Sequence, residues 1–320
     1  MKILLTGATG FIGRHVLSEL LQAGHEVRAV RRRPADAAAH ERLEWQTIAD
    51  IGPDAHWSEA LRGMDAVVHL AGHAHRPGES PSAAAQAHER INHQGSRRLA
   101  EVAEGQVSRF LFLSSIAVHG LRQSEEAITE ATPVRPDGPY GEAKARAEEY
   151  LIDAHQQGRL QSLSLRIPLV VGPGAPGNLG RLQRAVARGL PLPLASARNQ
   201  RSLLGVRHLA RALRIALEAD TIAGPVNTLA DAETISTADM IRALAAGIDR
   251  APRLLPFPPA VLGGAARLLG KGGMAAQLIG SLRVDASGFR KAFGDCQTQT
   301  SDEALRESMS MQEKGKGSRG

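Results

Sequence analysis

Apolar positions open the chain as one short block, Ile3, Leu4 and Leu5, which stops at Gly7-Ala8-Thr9-Gly10-Phe11-Ile12-Gly13. A block without polar alternation is the pattern of a strand buried on both faces. Residues 14–22 then alternate apolar and polar positions with helical period, Gly24 ends that helix, and residues 26–30 supply a second apolar block. Strand, glycine turn, helix and strand within about 30 residues make a βαβ unit. Further strands are expected at residues 43–46, 66–70, 110–114 and 162–167, with helical stretches between most of them. That alternation predicts a parallel sheet covered by helices on both faces.

After Pro173 the texture changes to Gly/Pro-rich loops, with helices expected at residues 179–188, 206–218 and 237–246. We therefore expect a dinucleotide-binding domain over residues 1–172. A smaller lobe over 173–312 would mainly bind substrate, with some segments free to return to the main sheet. Residues 313–320, polar and glycine-rich, read as a disordered tail. The apolar region 254–282 is interrupted by Pro256, Pro258, Pro259, Arg267 and Lys271, so it fails as a membrane span. Residues 260–269 read as a helix packed within the protein, in preference to one lying on a membrane surface.

Composition narrows the classes. The 320 residues are 42% hydrophobic and 22% charged, as in folded soluble proteins. A single cysteine, Cys296, excludes an internal disulfide and a cysteine-rich zinc site, and is compatible with a reducing compartment. The opening apolar block is too short for a secretory leader, so a cytoplasmic location is expected. The net charge of +6 is concentrated in Arg31-Arg32-Arg33 and near the terminus at Lys314, Lys316 and Arg319. With aromatics at 3%, no platform for stacking nucleic-acid bases is expected.

Three glycines at Gly7, Gly10 and Gly13 suit a dinucleotide. The first permits a tight turn, the second lets backbone approach a pyrophosphate, and the third allows close helix packing with the helix N-terminus facing the anion. The competing reading is a purely structural turn. At the end of the second strand, where an NAD-selective site offers an acid to the ribose, stand Val30, Arg31 and Arg32, with no acid before Asp36. Guanidinium groups suit a 2′-phosphate, which favours NADP(H) over NAD(H); the alternative is a solvated arginine turn.

Ser114 and Ser115 end a strand, and Tyr140-x-x-x-Lys144 places a phenol and an ammonium on one helix face. A phenol is a poor acid or base at neutral pH unless a nearby cation stabilises its anion, a role Lys144 would fill. Ser115 would hydrogen-bond the substrate oxygen that exchanges its proton with Tyr140. His69, His73 and His75 lack an accompanying acid cluster, so no metal site is expected.

With these motifs the chain resembles the extended short-chain dehydrogenases/reductases, in the NAD-dependent epimerase/dehydratase branch. The resemblance covers roughly residues 1–295. It rests on TGATGFIG at 6–13, DAVVHLAG at 65–72, SSIAVHG at 114–120, YGEAK at 140–144 and LRIPLVVGPG at 165–174. It implies an α/β fold, a Rossmann-type doubly wound parallel sheet with a smaller C-terminal substrate-binding lobe. It further implies that Phe11 and Ile12 belong to the cofactor turn and that Asp50 and Ile51 flank the adenine. Leu70, Ala71 and Gly72 would line the cofactor, and Asn92 would support the active site. His119 and Val171 stand where aromatics are frequent, His208 where an acid is frequent, and Gly294-Asp295-Cys296 where Gly-Trp is frequent.

A narrower resemblance, to bacterial enzymes acting on UDP-linked N-acetylated sugars for surface polysaccharides, rests on residues 177–179, 189–194 and 199–204. It implies a UDP-sugar as partner, with Asn178, Leu179 and Arg201 as substrate residues, and is compatible with a homodimer. Without the resemblance, Asn178 reads equally as a helix N-cap and Arg201 as part of a surface salt bridge. The leading expectation is an NADPH-dependent reductase of a UDP-4-keto-6-deoxy-N-acetylhexosamine, giving products of the UDP-quinovosamine or UDP-N-acetylfucosamine type. A UDP-sugar 4-epimerase with retained NAD is the nearest alternative. A 4,6-dehydratase is disfavoured, because Ile116 and Ala117 follow Ser115 where an acid pair is needed. A non-catalytic NADP-binding regulator is the alternative from another class.

Overall fold

The computed structural model describes residues 1–34, 40–74, 78–258 and 278–317, with 261, 263, 264 and 276 between the last two spans. The main sheet has seven strands in the order β3-β2-β1-β4-β5-β6-β9. These are β1 (Lys2–Thr6), β2 (Glu26–Arg31), β3 (Leu43–Thr47), β4 (Ala66–His69), β5 (Arg109–Leu113), β6 (Ser162–Arg166) and β9 (Val226–Thr228). Every neighbouring pair is parallel. The order reverses between β1 and β4, leaving a crevice at their carboxyl ends, where α/β folds bind ligands.

Two cores flank the sheet because its strands are apolar on both faces. On one side, α1 (Phe11–Gln22) contributes buried Val16 and Leu20, and α7 (Val206–Glu218) contributes Leu209, Leu213 and Leu217. On the other, Ala147, Leu151 and Ala154 of α5 (Pro139–Gln156) pack with Leu99 and Ala103 of α4 (Ser96–Ala103) and with Phe110 and Phe112 of β5. Leu111, fully buried at the sheet's centre, is a position where truncation to Ala would cost about 2–5 kcal/mol.

Beyond β7 (Leu169–Val171) the chain builds a second layer. A three-stranded sheet, β10-β8-β7, is completed by β8 (Arg201–Gly205) and β10 (Thr234–Ile235). It packs with α6 (Gly177–Ala187), α8 (Thr237–Ala246) and α10 (Ser301–Gly317) around Leu179, Leu203, Leu244 and Leu305. Although β9 and α7 lie after residue 173, both belong to the main sheet's layers. The backbone of α10 stays helical through Gly317, into the segment that composition marks as a disordered tail; buried Ala304, Leu305 and Met309 anchor its first turns. Asp36 and His75 lie outside the described residues, as do residues 260–269 apart from 261, 263 and 264. No helix among the described residues is long and apolar enough to cross a membrane.

Candidate active site

The glycine turn is built for backbone contact. Gly7 has φ +73°, and the Gly10 amide donates to the Gly7 carbonyl at 2.9 Å. A Cβ on Gly13 would lie 1.9 Å from the Gly7 oxygen, and one on Gly7 would lie 2.8 Å from the Ala71 nitrogen. Only hydrogen fits at either place, so α1 and the segment after β4 close on the turn and leave the first amides of α1 facing the crevice. Leu70 and Ala71 are half-buried and Gly72 is exposed, while Phe11 and Ile12 are half-buried at the start of α1. The Ala71 amide donates to Thr6 Oγ1 at 3.1 Å, and Thr6 Oγ1 meets His69 Nδ1 at 2.7 Å. The cradle, which side chains would fill, fits a dinucleotide pyrophosphate.

At the end of β2 the Arg31 guanidinium lies 5.2 Å from the Trp45 ring centre, and Arg32 is exposed. Asp50 and Ile51 are fastened to the far wall. Arg90 Nη1 donates to Asp50 Oδ1 at 2.9 Å, with a second bond from Nη2 to Oδ2, and the Gly52 amide adds another at 3.1 Å. The Arg90 bond holds the Asp50 carboxyl below the usual carboxylate range. A Cβ on Gly95 would lie 2.1 Å from the Ile51 carbonyl, so this wall and the Asn92-bearing segment are in direct contact.

Ser115 and Tyr140 meet at the carboxyl edge of β5. Ser115 caps a 3-10 turn (Ile116–His119), its Oγ accepting from the Ala117 amide at 3.1 Å. Tyr140 stands in the first turn of α5, after Gly138 at φ +104° and Pro139. The residue is 37% exposed. Burial raises the phenol above its ordinary pKa, and the hydrogen bond with Ser115 only partly offsets this. The phenol is therefore a neutral proton donor near pH 7.

Lys144, one turn further on and buried, donates from Nζ to the Leu113 carbonyl at 2.8 Å, with Nζ 4.4 Å from the Phe112 ring centre. Burial lowers it to about 8, with Glu148 opposing. The charge expected to stabilise a phenolate is thus engaged with the β5 backbone, and removal from water dominates both groups. Glu148 is itself buried and held by Arg166 at 2.7 Å. Removing one partner of such a pair typically costs about 3–5 kcal/mol. His69 is neutral: burial, then the Lys144 charge, lower it to about 3, and its Nε2 meets Ser96 Oγ at 2.9 Å.

A group of residues of which the resemblance names only Asn92 lies behind Tyr140. Asn92 and His88 both sit on a π-helix (His88–Gly95) that links α3 (Pro81–Ala87) to α4. Asn92 accepts from the His73 amide at 2.6 Å and donates from Nδ2 to the His73 carbonyl at 3.0 Å. Nδ2 also lies 3.0 Å from His88 Nδ1, and His73 Nε2 lies 2.9 Å from Glu79. The spacing His88-x-x-x-Asn92 was the available signal, but it carries no known motif.

The expected substrate residues separate. Asn178 is exposed in the first turn of α6, where Pro176 is the N-cap, so Asn178 does not cap it. Leu179 is buried in the second core, where its apolar side chain packs α6 onto the lobe. Arg201 is half-buried, donates to the Gly280 carbonyl at 3.0 Å, and has no carboxylate within ion-pair distance among the described residues. Burial lowers its pKa. His208, in the place of the frequent acid, pairs with buried Asp231 at 2.7 Å. A concavity of about 1240 Å³ runs along the outer face of α5 and is lined by none of Ser115, Tyr140 and Lys144.

A parallel sheet with a glycine cradle at its switch point and a Ser-Tyr-Lys group at the neighbouring strand end defines a Rossmann-fold nucleotide-dependent enzyme architecture. The chain belongs to the NAD dependent epimerase/dehydratase family, whose model matches residues 3–227. It is 29% identical to a UDP-glucose 4-epimerase of Vibrio cholerae over 96% of this chain and 94% of that one. It is 27% identical to the N-acetyl-alpha-D-glucosaminyl-diphospho-ditrans,octacis-undecaprenol 4-epimerase of Escherichia coli O157:H7, over 82% of this chain and 78% of that one. The solved UDP-glucuronic acid 4-epimerase of Bacillus cereus, in complex with NAD, has the same fold, with a TM-score of 0.78 at 22% identity, covering 98% and 99% of the two chains.

Proposed function

We propose that the protein oxidises and reduces C4 of a UDP-linked hexose, with Ser115, Tyr140 and Lys144 as the catalytic group. The observation that carries this reading is the convergence of Ser115, Tyr140 and Lys144 where β5 gives way to the 3-10 turn, with Lys144 Nζ bonded to the Leu113 carbonyl at 2.8 Å. Gly7, Gly10, Phe11, Ile12 and Gly13 would hold the pyrophosphate, Arg31 and Arg32 the adenosine ribose side, and Asp50 and Ile51 the adenine. Leu70, Ala71, Gly72 and Asn92 would line the remaining wall. When bound, the nicotinamide supplies the electron-pair acceptor and donor. Ser115 would orient the C4 oxygen, Tyr140 would exchange a proton with it, and Lys144 would fix the end of β5 while lending positive charge. Asn178 and Arg201 would receive the diphosphate, since a half-buried guanidinium without a carboxylate partner suits an anion.

Within that reading, 4-epimerisation is supported by the relatives. Reduction of a UDP-4-keto-6-deoxy-N-acetylhexosamine, with NADP(H), is favoured by the arginines at the end of β2 and by a phenol kept protonated for donation. Both fit a cytoplasmic supplier of surface-polysaccharide precursors. The experiment is to incubate the purified protein with UDP-GlcNAc, UDP-GalNAc and UDP-4-keto-6-deoxy-GlcNAc, with each cofactor, and to identify products by NMR. Interconversion without net cofactor consumption identifies the epimerase, and stoichiometric NADPH oxidation identifies the reductase. Cofactor binding without turnover on any of them would favour a regulator.

A further inference from the structure

We propose that His88 is a positioning residue for the Tyr140 phenol, locked by Asn92 as its Nε2–H tautomer; this rests on the reading of Tyr140 as the proton donor. The lock follows from hydrogen-bond counting. The His73 amide can only donate, so the Asn92 atom 2.6 Å from it must be oxygen, and the His73 carbonyl can only accept, so the atom 3.0 Å from it must be the NH2 group. Both ends of the Asn92 amide are thereby fixed. Its remaining hydrogen points to His88 Nδ1 at 3.0 Å, which must accept, leaving the ring proton of neutral His88 on Nε2.

The locked ring is the wall behind Tyr140. The His88 and Tyr140 rings meet edge to face, with centroids 5.4 Å apart and planes at 66°. Behind His88 the His73 ring repeats the arrangement at 5.0 Å and 68°, and His73 Nε2 is tied to Glu79. His88 and His73 are both buried. Tyr140 needs such a wall, because it stands in the first turn of α5 with more than a third of its surface exposed. The wall is carried on a π-helix, a rare form concentrated at functional sites. From this helix Asn92 reaches back to His88 and also grips the segment after β4.

Two variants divide the ring from its lock. His88→Gln retains an acceptor for Asn92 but removes the ring, whereas His88→Phe retains a flat ring and removes the acceptor. Misplacement of a reacting group by about 1 Å can cost about 10²-fold. On that scale His88→Gln should lower kcat about 10- to 100-fold, with KM for the sugar nucleotide and cofactor affinity within about threefold. His88→Phe should stay within about threefold of the parent kcat, because edge-to-face packing persists.

Two readouts need no substrate. Nitrogen NMR of the parent should show His88 protonated at Nε2 and bare at Nδ1. In a Tyr150→Phe background Tyr140 is the sole tyrosine, and its ring should be ordered with His88 and mobile with Gln. An Nδ1–H tautomer, a parent-like kcat or an ordered ring in His88→Gln, or a loss that falls on KM would each overturn the proposal. Tyr140→Phe is assayed beside them. Full activity there defeats the assignment of Tyr140, whereas an inactive Tyr140→Phe with a fully active His88→Gln defeats the role of His88 alone.

Discussion

The Lys144 ammonium is bound to the Leu113 carbonyl at 2.8 Å and lies over the Phe112 ring, so the cation of the catalytic group is tied to the strand that leads into Ser115. Burial is the larger influence on it and lowers its pKa from 10.5 to about 8. Below pH 8 both folded and unfolded chains hold the proton, and the full cost of burying the charge remains. Between 8 and 10.5 the unfolded chain holds more protons, so this group's contribution to stability rises with pH across that window. Lys144→Met abolishes the titration. Denaturant unfolding from about pH 7 to about pH 10 should show the parent gaining about 1–3 kcal/mol relative to the variant. A difference that stays constant with pH would show an ordinary lysine.

Tyr140→Phe retains the ring that packs on His88 and deletes the proton. Folding and cofactor binding should be preserved, while turnover falls by about 10² to 10⁴, the usual contribution of a positioned acid or base. Steady-state assay beside cofactor titration checks this. Turnover at the parent rate would leave the Ser115–Tyr140 pair without a chemical role.

The parts of this site that were legible in the sequence are local ones. The turn from Gly7 to Gly13 declares itself because a strand period changes to a helix period across three glycines, and the structure places β1 and α1 there. The helix over residues 206–218 is legible for the same reason, its apolar positions repeating every third or fourth residue. β7 and β9 have three residues each, too few to show a period. The π-helix uses ordinary helix-forming residues, and only the packing of Asn92 against His73 distinguishes it. The burial of Leu179 with Leu203 and Leu244 is not legible in the sequence, because it depends on how α6 packs on β8 and α8. His88 escaped because its partner Tyr140 lies far along the chain, brought beside it only when α5 packs on the π-helix.

Arg31 stacks on Trp45 and Arg32 is exposed beside it, so the end of β2 offers cations where an acid would select NAD. NADPH should bind more tightly than NADH. Replacing both arginines with alanine should weaken NADPH by about 1.5–3 kcal/mol, the scale of a charged hydrogen bond, and leave NADH nearly unchanged. Calorimetric titration of both cofactors decides it. An initial preference for NADH, or equal weakening of the two, would remove the NADP assignment and return weight to an epimerase with retained NAD.

Arg201 begins β8 half-buried, bonded to the Gly280 carbonyl at 3.0 Å and without a carboxylate partner among the described residues. Burial lowers its pKa, so the folded protein carries an uncompensated cost for holding this charge that a bound anion would relieve. Arg201→Ala should therefore weaken UDP by about 1.5–3 kcal/mol, roughly tenfold to a hundredfold, because it removes a charged donor from the diphosphate. NADP(H) affinity should be unchanged, since Arg201 belongs to the second layer and the glycine cradle to the first. The free variant should be no less stable than the parent by more than the one hydrogen bond to Gly280, about 1 kcal/mol. Calorimetry with UDP alone separates this from sugar recognition. Unchanged UDP affinity would mean that Arg201 serves only to fasten β8 to the Gly280 turn, and the diphosphate would then have to be held elsewhere.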